Sequence, residues 1–123
     1  MPIWLTKPVT EQPSLTLRDW GVMQMPEGGR HFVGYVIENR EGRVSSPIVK
    51  FDAKGRRGVT LTGRVYELIG APGLESDAEY VRKQWLALYN NPDWTDVTDE
   101  VWAEIQAVAG PPAKKKRARP LNT

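Results

Sequence analysis

The chain has no cysteine and a single histidine, His31. Disulfides, thiolate nucleophiles and cysteine-based zinc sites are thereby excluded together. A zinc site would have to lean on carboxylates, which is uncommon. A Ser–His–Asp triad would need His31, and no G-x-S-x-G nucleophile elbow accompanies it. Phenylalanine is scarce, with two residues, whereas tryptophan is plentiful, with five. No stretch approaches the ~20 apolar residues of a membrane span. The start, Met1-Pro2-Ile3-Trp4-Leu5-Thr6-Lys7-Pro8, lacks the basic beginning and apolar run of a signal peptide. The expectation is a soluble protein of the cytoplasm, without membrane contact, metal or cofactor.

What is present fits one α+β domain over 14–109. The 123 residues can bury one core but hardly two. Prolines 2, 8 and 13 mark residues 1–13 as an extended N-terminal arm. Short apolar runs then alternate with turn signals: Leu15–Met25, His31–Glu38, Val44–Asp52, Val59–Thr62 and Arg64–Ile69. The alternation slips near Gly21, a place for a bulge. Apolar residues on both faces of His31–Glu38 predict a central strand. These runs predict an antiparallel β-meander of four to five strands. Val44–Asp52, with Pro47 inside it, reads as a strand at an edge or with a bulge, and if flat and exposed it can pair two copies into a dimer.

Two amphipathic C-terminal helices follow, predicted to pack together over one side of the sheet. The first opens with Ser76-Asp77-Ala78-Glu79, a capping box, and carries Ala78, Val81, Trp85 and Leu88 as its apolar stripe. Asn90-Asn91-Pro92 ends it. The second begins at Thr98, with Val97 and Trp102 placed as a hydrophobic staple and Val101, Ile105 and Val108 as its stripe. Residues 110–123 offer little to pack and read as a disordered basic tail.

Charge is segregated. Residues 1–74 carry ten basic against seven acidic side chains, residues 75–109 two against eight, and residues 110–123 five against none. Such asymmetry concerns partners rather than fold. In a meander the first and third turns share an end, which would bring Arg30 and His31 near Lys54, Arg56 and Arg57. With Lys114, Lys115, Lys116, Arg117 and Arg119 of the tail, these are the candidate contacts for an anion or nucleic acid. Phosphate contacts of this kind weaken steeply with salt. The bland alternative is that hairpin tips are ordinarily wet and charged and the tail merely solubilising. The acidic helices can attract a basic partner. Trp94, in the linker between the helices, is either a protein-contact anchor or a tucked core residue.

Ser45-Ser46-Pro47-Ile48, Phe51-Asp52, the run Thr62-Gly63-Arg64-Val65-Tyr66-Glu67-Leu68-Ile69-Gly70-Ala71-Pro72-Gly73, and Asp77-Ala78-Glu79-Tyr80-Val81 with Trp85 resemble small proteins of unknown function encoded by proteobacterial phages and prophages. The resemblance spans about a third of the chain and implies a phage-associated setting. It carries no catalytic residue. Three functions follow in order: a non-enzymatic binding protein, such as a phage accessory factor acting on another protein; a nucleic-acid-binding protein using the tail and hairpin tips; and a small enzyme built on a carboxylate pair.

Overall fold

A computed structural model describes residues 10–109. The arm's first nine residues and the basic tail, with its five cationic candidates, lie outside the described residues. The fold is α+β. Its strands are β1 (Ser14–Gln24), β2 (Arg30–Val36), β3 (Glu41–Val44), β4 (Ile48–Asp52), β5 (Arg57–Thr60), β6 (Val65–Leu68) and β7 (Thr95–Asp96). Helices α1 (Ser76–Leu88) and α2 (Thr98–Ala109) flank β7.

The sheet is mixed and has seven strands, in the order β3-β2-β1-β6-β5-β4, with β7 added beside β1. This corrects the expected four- to five-stranded antiparallel meander. The chain makes two antiparallel units, β1-β2-β3 and β4-β5-β6, and β1 joins them by pairing in parallel with β6, Leu15 beside Tyr66 and Leu17 beside Leu68. Strand β1 can serve both units because it is long and bent. Its register with β2 slips between Arg18 and Gly21, where Asp19 takes a positive φ of 47°. That is the bulge placed near Gly21 by the broken alternation. The predicted strand Val44–Asp52 is in fact two, β3 and β4, divided at Ser45-Ser46-Pro47. Proline supplies no ladder donor, and the chain turns there.

Adjacent strand residues face opposite sides, and both sides are covered. Phe32 and Val36 of β2 enter one cluster with Leu15, Leu17, Trp20 and Tyr66, closed by Val101 and Ile105 of α2. Val33 enters the other with Met23, Met25 and Val44, closed by Ala78, Trp85 and Leu86 of α1. The two helices thus take opposite faces, not one. Covering both faces explains why β2, between β1 and β3, is apolar on each side. Trp102 packs edge-on against Trp20, at 6.0 Å between ring centres. Leu88 and Val108, assigned to helical stripes, are exposed at 62% and 49%, each in the last turn of its helix.

Helix α1 is capped by Glu75, whose carboxylate accepts from the Ala78 N–H at 3.0 Å. The cap thus lies one residue before the expected Ser76. The helix lies on β3 at close range: a Cβ on Gly42 would sit 2.4 Å from the Ala78 nitrogen. Helix α2 is tied to β1 by Thr98, whose hydroxyl accepts from the Val22 N–H at 3.0 Å.

Candidate functional site

A cleft of about 570 Å³ opens where the β1–β2 turn, the β3–β4 link and the end of α1 meet. Met25, Pro26 and Glu27 form one side, Val44 through Pro47 another, and Trp85, Tyr89 and Pro92 the third. His31 lines it from β2.

Local chemistry fixes each wall. The β1–β2 turn closes through Met25, whose N–H donates to the Gly29 carbonyl and whose carbonyl accepts from the Gly28 N–H, both at 2.8 Å. Gly28 takes φ of +104°, a conformation open to glycine. The β3–β4 link is clamped at Ser45. Its N–H donates to the Phe32 carbonyl, its hydroxyl accepts from the Phe32 N–H, and the same hydroxyl donates to the Ser46 carbonyl, all within 2.9 Å. At the end of α1, Asn90 and Asn91 hold left-handed backbone (φ 63° and 50°), and the Asn91 N–H returns to the Leu86 carbonyl at 2.9 Å. This reversal brings Pro92 to the cleft.

Three rings adjoin through the site, each tilted against the next. His31, buried, lies 4.8 Å from Trp85, and Trp85 lies 4.6 Å from Tyr89, which is 57% exposed. Residues four apart on a helix share a face, which aligns Trp85 and Tyr89. The His31 Nδ1 is 2.8 Å from the Ser45 carbonyl oxygen. A carbonyl only accepts, so Nδ1 carries the hydrogen, and Nε2 of the neutral ring is an acceptor.

The described arginine candidates have partners of their own, two of them on α2. Arg30 donates to Gln24 at 2.8 Å and pairs with Glu100 of α2 at 3.3 Å. Arg56 bonds the Gly70 carbonyl and lies over the Trp102 ring. Arg57 faces Glu67 of β6 at 3.6 Å. Lys54 is exposed on its turn. His31 faces the cleft instead. Trp94 is half-buried against the α1 cluster, with the Arg82 guanidinium 4.7 Å over its ring.

Among the described residues, no group of three or more His, Cys, Asp or Glu side chains is placed to hold a metal ion. Glu27 is the one carboxylate lining the aromatic cleft. A shallower hollow of about 190 Å³ contains Glu41 and Asp77, and Glu41 is bonded to Arg43 at 2.6 Å. No described helix is long and apolar enough to cross a membrane. No family model matches the chain, and neither a curated protein nor a solved structure matches it.

The sequence places Trp85 on the apolar stripe of the first helix and assigns no role in a site to Tyr89 or Ser45. The signal for Tyr89 is its spacing from Trp85. The signal for an inward His31 is its alternation with Val33 on one face of β2. Nothing in the linear pattern brings Ser45 to His31, because that contact depends on how the β3–β4 link folds back over β2.

Proposed function

We propose that this chain is a non-catalytic binding protein, acting inside the cell in a phage or prophage setting, that holds an apolar segment of another protein in the aromatic cleft. The observation that carries this reading is the exposed Tyr89 ring at the mouth of a recess walled by Trp85, Val44, Met25 and three prolines. Binding sites of this kind are concave and mostly apolar, with few polar groups to orient the ligand. Rigid exposed aromatics are favoured anchors at protein interfaces. The phage setting is supported by the Gly63–Gly73 resemblance alone.

The rival reading, nucleic-acid binding, draws on the tail. Of its described residues, Arg30, Arg56 and Arg57 already have acidic, carbonyl or aromatic partners, which favours the protein reading. The experiment is capture from lysate with the full chain, with and without nuclease, beside two variants. One blocks the cleft (Tyr89→Ala with Ser46→Arg); the other reverses the tail (Lys114→Glu, Lys115→Glu, Lys116→Glu). The expected result is one protein retained after nuclease, kept by the tail variant and lost by the cleft variant. Salt-sensitive capture that vanishes with nuclease or with tail reversal would overturn the reading in favour of nucleic acid.

A further inference from the structure

The polar groups of the cleft are one-sided. Ser45 spends its hydroxyl on Phe32 and Ser46. His31 spends Nδ1 on the Ser45 carbonyl, while Nε2 has no partner among the described residues and is not sealed from solvent. At the mouth stands Glu27, an exposed carboxylate, and no described lysine or arginine lines the cleft. With the Nδ1 hydrogen committed to the Ser45 carbonyl, Nε2 is the ring's remaining lone-pair position, and the Glu27 carboxylate at the mouth accepts. An occupant without a donor would strip water from Nε2 and return nothing, which is costly for a polar group removed from water.

From this we infer that the occupant is an aromatic side chain carrying its own N–H or O–H donor, a tryptophan or tyrosine, next to a basic residue of the same partner segment. The ring enters between Val44, Pro47 and Pro92, its donor bonds His31 Nε2, and the basic neighbour meets Glu27. The recess, about 570 Å³, has room for either ring. A phenylalanine would fill the same space and leave Nε2 unpaired, so His31 is the specificity-determining residue.

The inference rests on the cleft being the binding site, and the test separates the two. N-acetyl-tryptophanyl-lysine amide is titrated against the full chain by calorimetry. It is compared with its 1-methylindole analogue and with N-acetyl-tryptophanyl-glutamate amide. The tryptophanyl-lysine peptide is expected to bind roughly tenfold more tightly than the methylated one, the value of one hydrogen bond to a buried acceptor. In His31→Phe that ratio should fall to about one, and in Glu27→Gln the preference for lysine over glutamate should shrink. The ¹⁵N signal of His31 Nε2 should shift with the tryptophanyl peptide and not with the methylated one, a reading that stands even if His31→Phe fails to fold. Equal binding of both peptides by the unaltered chain would overturn the donor inference and leave the cleft reading intact. No binding by any of the three would sink both.

Discussion

At the scale of single residues, the sharpest tension is at Arg43. Its side chain is 6% exposed, its Nη2 is 2.6 Å from Glu41, and its Nη1 is buried without a partner. It stands opposite Gly34 in the β2–β3 register, where no neighbouring side chain competes for space. A buried ion pair contributes little net stability, whereas a buried charge stripped of its partner is expensive. Arg43→Met is therefore expected to be neutral or stabilising by about 1 kcal/mol, and Glu41→Ala to cost about 1 kcal/mol, well below a fully buried pair because Glu41 is 39% exposed. Urea unfolding of the two variants checks this, and equal losses in both would refute it. Glu38 offers a pH prediction. Burial raises the pKa of its carboxyl, but hydrogen bonds from the Thr16 N–H (2.8 Å), the Thr16 hydroxyl (2.7 Å) and its own N–H outweigh that and hold it below its ordinary value. A folded pKa below the unfolded one gives stability that is present above the unfolded value and lost as pH falls through the folded one. Glu38→Gln should flatten the fall in urea midpoint between about pH 6 and about pH 3, by a small amount because the pair is exposed. An unchanged slope would dismiss the contribution.

At the scale of elements, the contact between β3 and α1 governs the candidate site. The backbones touch because Gly42 has no side chain, and α1 carries Trp85 and Tyr89. Gly42→Ala must push the helix away, at a cost of roughly 1–3 kcal/mol, and should weaken binding in the cleft more than that loss alone explains. Thermal melts and peptide titration test this together; unchanged affinity in a destabilised variant would disconnect the two. The helices were the most legible part of the sequence, because caps, stripes and stop signals act over a few residues. The strands near Gly21 and Gly63 were legible for the same reason. The parallel meeting of β1 with β6 was not: it joins Leu15 to Tyr66 across two hairpins, and no local pattern encodes it. The division of Val44–Asp52 was hinted at by Pro47. The cleft was least visible, since His31, Ser45 and Tyr89 come from three separate elements, and a lone histidine beside Arg30 looks like one more polar turn residue.

At the scale of the whole molecule, β1 holds the fold together. It pairs with β2, β6 and β7, and its side chains enter both cores. Amides protected by such a strand open only with global unfolding, while edges open locally. Native-state hydrogen exchange should therefore find its slowest amides around Leu15–Leu17 and Val22–Met23, and markedly faster ones in β4. Slowest exchange in β4–β6 instead would show that the second hairpin unit, and not β1, is the last to open.

The free edges of the sheet also bear on how this molecule meets others of its kind. A sheet with two open sides can be extended by a neighbour at either one. Here α1 lies on the face of β3, and the β4 side carries a register irregularity between Ile48 and Lys50 with the Lys50 side chain exposed. Stacking of strands from one copy to the next is thereby discouraged at the β4 end, where a flat template for aggregation would otherwise lie.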